Sequence, residues 1–136
     1  MKELTVKAAI ENLEAVLDFI ESELEAADCP MKTQMQIAVA VEEVFVNIAH
    51  YAYNPEVGGA IIRVAVGDEI TIEFEDSGAA YDPLSAPAPD LAPPAEEREI
   101  GGLGIFMAKN LVDSMEYRRE GGRNILTIRK NIARPV

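Results

Sequence analysis

The chain has 136 residues, 49% of them apolar and 26% charged, and carries a net charge of −12. That fits one domain with a sizeable core and argues against direct binding of nucleic acid, which calls for clustered Lys and Arg. One cysteine (Cys29) excludes an internal disulfide, one histidine with it argues against zinc, and no apolar run is long enough to span a bilayer.

The first residues lack a signal peptide's apolar core, so no membrane association and a cytoplasmic location are expected. Leu4 to Lys7 alternates weakly and reads as a short edge strand. Ile10, Leu13, Leu17, Ile20 and Leu24 then recur at helical spacing between acidic residues, predicting an amphipathic helix on a core. Asp28-Cys29-Pro30 ends it, and Pro30 suits the start of the next helix.

That next helix, over residues 36–54, is apolar nearly all round. Ala38, Val41, Phe45, Ile48 and Ala52 share one side, extended by Val39, Ala40, Val46 and Ala49. Gln36, Glu43, Asn47, His50 and Asn54 form a single polar stripe. A buried carboxylate without a partner is costly, so Glu43 and Asn47 face either a solvated edge or a polar pocket.

Ala60 to Val66 and Ile70 to Asp76 predict a hairpin about Gly67-Asp68. Ile70, Ile72 and Phe74 share one face and Thr71, Glu73 and Glu75 the other. Parity puts Asp76 with the inward set, whereas Ser77-Gly78 after it favours ending the strand at Glu75. Residues 79–101 turn to Ala, Pro, Asp and Glu without periodicity, which suits a lid. Gly101-Gly102-Leu103-Gly104 leads into a helix read from Ile105, Ala108, Leu111 and Val112. Two strands close the chain, Ser114 to Arg119 and Asn124 to Lys130, joined by Gly121-Gly122. The expected fold is α+β: a two-layer α/β sandwich with a mixed, mostly antiparallel sheet and helices on one face.

Three pieces share a use in holding a nucleotide with a divalent ion. Asn47 offers a neutral oxygen suited to Mg²⁺, and Glu43 lies one helical turn away, where it can orient or deprotonate an attacking hydroxyl. Asp76 can accept a hydrogen bond from an exocyclic amine, with Gly78 letting backbone approach a planar base. The glycines before Ile105 expose amide groups at a helix N-terminus, a favourable place for phosphate.

This ordered set resembles the GHKL family of ATP-binding domains, with Glu43-x-x-x-Asn47 similar to its N box, Asp76-x-Gly78 to its first glycine box and Gly102-x-Gly104 to its second. The VEEVFVNIAHYAY segment is most similar to stand-alone anti-sigma factor serine/threonine kinases of the RsbW and SpoIIAB type. The resemblance covers nearly the whole chain and implies a single Bergerat-type domain over 1–136 with an ATP lid at about 79–101. It implies ATP and Mg²⁺ as cofactors, Glu43 as general base and Asn47 as the Mg²⁺ ligand. Asp76 would recognise adenine with Gly78 beside the ring, and Gly102, Leu103 and Gly104 would contact phosphates. Ala80 stands where many relatives have a second glycine. A polar residue on the last strand should back Asp76, with Asn124 first and Thr127 second. Implied partners are ATP/ADP, an antagonist STAS-type protein and a sigma factor or similar regulator, with homodimerisation. Arg98 is the lid's one basic residue, so the alternative is an ATP-dependent protein-binding module with little or no kinase turnover.

Overall fold

In the computed structural model the described residues are 1–52, 58–84 and 102–132, without the side chains of residues 51, 102 and 103. The elements run β1 (Lys2–Lys7), a 3₁₀ turn (Ile10–Asn12), α1 (Leu13–Ala26), α2 (Met31–Tyr51), β2 (Gly59–Val66), β3 (Glu69–Asp76), α3 (Gly102–Leu111), β4 (Ser114–Glu120) and β5 (Arg123–Asn131). The five strands form one sheet in the order β1-β2-β3-β5-β4. Every neighbouring pair is antiparallel, so the mostly antiparallel sheet that was expected carries no parallel pair. The reason is topological. β3 and β4 run the same way on either side of α3, but β5 inserts between them, so no parallel pair forms.

The alternation of β2 and β3 puts Ile62, Val64, Ile70, Ile72 and Phe74 on the face covered by helices, joined there by Leu126 and Ile128 of β5. Into that layer α2 inserts Ile37, Ala40, Val41, Val44, Phe45 and Ile48, all buried. At about 1.5–3 kcal/mol for each large apolar side chain, this seam is the main source of stability. α2 begins at Met31, five residues before its apolar pattern becomes dense, because Pro30 is extended (φ −57°, ψ 143°) and caps it. α1 turns a slightly different face to the core than its sequence pattern suggests: Val16, Ile20 and Leu24 are buried, Leu13 and Leu17 are half-buried, and Ile10 is 48% exposed. The tighter 3₁₀ turn over Ile10–Asn12 shifts the phase of that first residue.

The other face of the sheet is covered by charged side chains. Glu75 accepts from Arg63 and from Arg123, each at 3.1 Å, and Arg63 also reaches Glu3 at 2.8 Å. β3 itself continues through Asp76, which is 5% exposed, so the inward parity of this carboxylate prevails over the turn signal that follows it.

Candidate functional site

Between α2 and the sheet lies a narrow, largely apolar cleft that opens to solvent. Its floor is Phe74 and Leu126, its polar end is Asp76 and Asn124, and α2 contributes Val44, Asn47 and Ile48. Tyr81 and Tyr117 supply aromatic walls. An apolar slot with few polar groups at one end suits a flat heterocycle whose edge is hydrogen-bonded.

Asp76 is built into this end by the pairing of β3 with β5. Its register partner is Asn124, so both side chains leave the sheet on the same face. Asn124 Nδ2 donates to Asp76 Oδ1 at 2.9 Å, and the Gly78 amide donates to the same oxygen at 2.9 Å. Among the described residues both of these bonds fall on Oδ1, which leaves Oδ2 to accept from a ligand. Asn124 is thus the β5 residue that touches Asp76. Thr127 is not: it pairs with Glu73 on the opposite face of the sheet, away from the cleft. It lies three positions from Asn124, and an odd separation along a strand reverses the face.

Gly78 has a tighter reason to be glycine than approach to a base. A Cβ there would lie 2.2 Å from the Ala52 carbonyl oxygen and 2.6 Å from its carbon, at the C-terminal end of α2. The next amide, of Ala79, donates to that same oxygen at 3.0 Å. The turn after β3 is therefore seated directly on the last turn of α2. Ala80, two residues on, is exposed and does not line the cleft.

The helical period of α2 carries Asn47 into the cleft and Glu43 one turn toward the helix N-terminus. Asn47 is 5% exposed, and its Nδ2 has no hydrogen-bond partner among the described residues. Such a group costs about 1–3 kcal/mol unless a ligand satisfies it. The donor set fits a hard cation only in part. Asn47 can turn its amide to present one neutral oxygen, but no group of three or more His, Cys, Asp or Glu converges on a metal site among the described residues. Mg²⁺, which keeps waters and takes phosphate oxygens, is the ion compatible with so sparse a set.

Glu43 meets α3. A Cβ on Gly104 would lie 2.1 Å from Glu43 Oε2 and 3.1 Å from Cδ, so the carboxylate rests against the first turn of that helix in space only glycine leaves open. Burial raises the Glu43 carboxyl above the ordinary 4.5, and the neighbouring Glu42 pushes in the same direction. A carboxyl moved toward neutrality is a better general base at physiological pH than an ordinary one. Gly102 and Leu103 open α3 beside it, though nothing is described of the Leu103 side chain. His50 is exposed at the end of the stripe. Asn54, Arg98, Gly101 and the lid beyond residue 84 lie outside the described residues.

Two residues that sequence reasoning passed over join the site, Tyr117 and Arg119 of β4. Tyr117 lines the cleft and donates to Asn124 Oδ1, while Arg119 Nη1 donates to Gly78 O at 2.8 Å and to Asn124 Oδ1 at 3.1 Å. The signal for them was the hairpin: counting outward from Gly121-Gly122 pairs Arg119 directly with Asn124.

A two-layer sandwich with this cleft over β3 and β5, and with a glycine-started helix packed beside α2, is a GHKL-type domain. The chain belongs to the family described as the histidine kinase-like ATPase domain, whose model matches residues 6–130. It is 28% identical over 104 residues to the serine/threonine-protein kinase BtrW of Bordetella bronchiseptica, covering 75% of this chain and 73% of that one. It is also similar to the serine-protein kinase RsbW of Bacillus cereus, 29% identical over 93 residues that make up 65% of this chain and 58% of the relative. Among solved structures, a Mycobacterium tuberculosis protein with RsbU and RsbW domains matches with a TM-score of 0.68 and 17% identity, over 99% of this chain and 34% of that one. That likeness shows the fold. No described helix is long and apolar enough to cross a membrane.

Proposed function

We propose that this chain is an Mg-ATP-dependent protein serine/threonine kinase of the RsbW type, which phosphorylates a STAS-type antagonist and sequesters a sigma factor or similar regulator. The observation that carries the reading is the joint placement of three groups: Asp76 at the cleft's polar end, Asn47 on its wall with Nδ2 unpartnered among the described residues, and Glu43 against the first turn of α3. The relatives named as serine-protein kinases support the same chemistry.

In this reading Asp76 Oδ2 accepts from the adenine amine, and Phe74, Leu126 and Tyr81 exclude water from the ring. Asn47 would hold Mg²⁺, which when bound supplies charge neutralisation to the phosphates. The α3 amides beginning at Gly102 would face phosphate oxygens. Glu43 takes the proton of the attacking serine hydroxyl as its oxygen bonds to the γ-phosphorus and the bond to ADP breaks. A half-buried carboxylate with a raised proton affinity is suited to that transfer.

The test is transfer of label from γ-labelled ATP to a STAS-type protein encoded beside this chain. The wild type should label a serine of that protein, and Glu43→Ala should abolish labelling while still binding ATP. A wild type that binds ATP but labels no such protein would sink the kinase assignment and leave an ATP-dependent binding module.

A further inference from the structure

Asn124 is held by more donors than its bond to Asp76 requires. Its Oδ1 receives the Tyr117 hydroxyl, Arg119 Nη1 at 3.1 Å and the Tyr81 amide at 3.4 Å. Its Nδ2 donates to Asp76 Oδ1 at 2.9 Å and to the Ala79 carbonyl at 2.8 Å. A side-chain amide can turn over and exchange its oxygen with its nitrogen. Here the turn is opposed from both ends: it would set an NH₂ against the Arg119 and Tyr81 N–H donors and an oxygen against a carboxylate and a carbonyl. Arg119 adds a second tie, donating to the Gly78 carbonyl at 2.8 Å and so joining β4 to the turn that presents Asp76.

The orientation of that amide decides what Asp76 can recognise. With Nδ2 donating to Oδ1, the Asp76 carboxylate is held in place and its Oδ2 is presented as an acceptor. An acceptor pairs with the 6-amino group of adenine and repels the 6-oxo group of hypoxanthine or guanine. With the amide reversed, an oxygen would face Asp76 Oδ1, and the repulsion between the two acceptors would push the carboxylate out of the place where it meets a 6-amino group.

We propose that Tyr117 and Arg119 are positioning residues for base selection: by locking the Asn124 amide they hold the Asp76 acceptor in place, so the site takes a 6-amino purine and rejects a 6-oxo purine. The proposal rests on the nucleotide reading above. Neither residue has to touch the reacting phosphates for this.

The experiment measures affinities of the full chain for ATP and for ITP, which differ at the 6-position, in the wild type, Tyr117→Phe, Arg119→Ala, the double variant and Asp76→Asn. Melting temperatures are recorded in parallel. Because Arg119 is exposed and its bonds compete with water, each single change should have a modest effect. The double variant should lose about tenfold in ATP affinity with little change for ITP, narrowing the ATP/ITP ratio by about five- to tenfold. A merely structural role would weaken both nucleotides together and leave the ratio where it was. An unchanged ratio in the double variant, with Asp76→Asn still weakening ATP, overturns the lock and leaves the nucleotide site standing. If Asp76→Asn binds ATP as the wild type does, the nucleotide assignment fails and the lock fails with it.

Discussion

Gly104→Ala separates catalysis from stability in a way the structure makes quantitative. The added Cβ would stand 2.1 Å from Glu43 Oε2, whereas real Cβ atoms essentially never come within 3.0 Å of another heavy atom. The carboxylate must therefore withdraw by about 1 Å, and it can, because the clash is with the far end of a flexible side chain. Misplacing a catalytic group by about 1 Å costs on the order of 100-fold in rate. Stability should hardly fall, since alanine favours a helix over glycine by about 0.5–1 kcal/mol. Phosphoryl transfer measured beside ATP affinity and thermal unfolding should show a turnover lower by about 100-fold, a melting temperature at or above the wild type's and ATP still bound. Unchanged turnover would refute the placement of Glu43 as the base.

Gly78→Ala should behave oppositely. Its Cβ would meet the Ala52 backbone at 2.2 Å, which cannot swing aside, so the turn must lift and release the Gly78–Asp76 and Ala79–Ala52 hydrogen bonds. Overpacking with the loss of both should cost about 2–4 kcal/mol and lower the melting temperature by several degrees or more. Glu43→Gln should stabilise the fold at pH 7.5. The folded carboxyl titrates above 4.5, its value without the fold, so ionisation disfavours the folded state: the cost is absent below pH 4.5 and complete above the folded value. Thermal unfolding of the two proteins should therefore differ at pH 7.5 and converge toward pH 4; a wild type more stable than Glu43→Gln at pH 7.5 contradicts the sign. Asn47→Ala should remove most of the Mg²⁺ dependence of ATP affinity by calorimetry, and an undiminished dependence would move the ion elsewhere.

How far the site was legible depended on the range of the interactions that build it. The stripe of Glu43 and Asn47 follows from the helical period alone, and the structure places both on the side facing the cleft and α3. Asp76 was ambiguous because two local rules disagreed, inward parity against a following turn. Its partner Asn124, 48 residues away in sequence, resolves the matter. Gly78 was assigned to a base by motif, while the contact that requires glycine is with Ala52, which only the packing of the turn on α2 reveals. Thr127 lost to Asn124 by strand parity once the β3–β5 register was known. Tyr117 and Arg119 had no motif at all, and their role depends on three strands coming together. The phase of α1 was misjudged at Ile10 because a 3₁₀ turn does not keep the helical period.

The central claim is that the cleft between α2 and β3–β5 holds ATP through Asp76. Its most direct test is calorimetric titration of ATP, with Mg²⁺ present, into the wild type and Asp76→Asn. The account predicts one site per chain in the wild type and an affinity at least about tenfold weaker in the variant, as expected for loss of a buried charged acceptor. A wild type that binds no ATP, or a variant that binds it equally well, would contradict it.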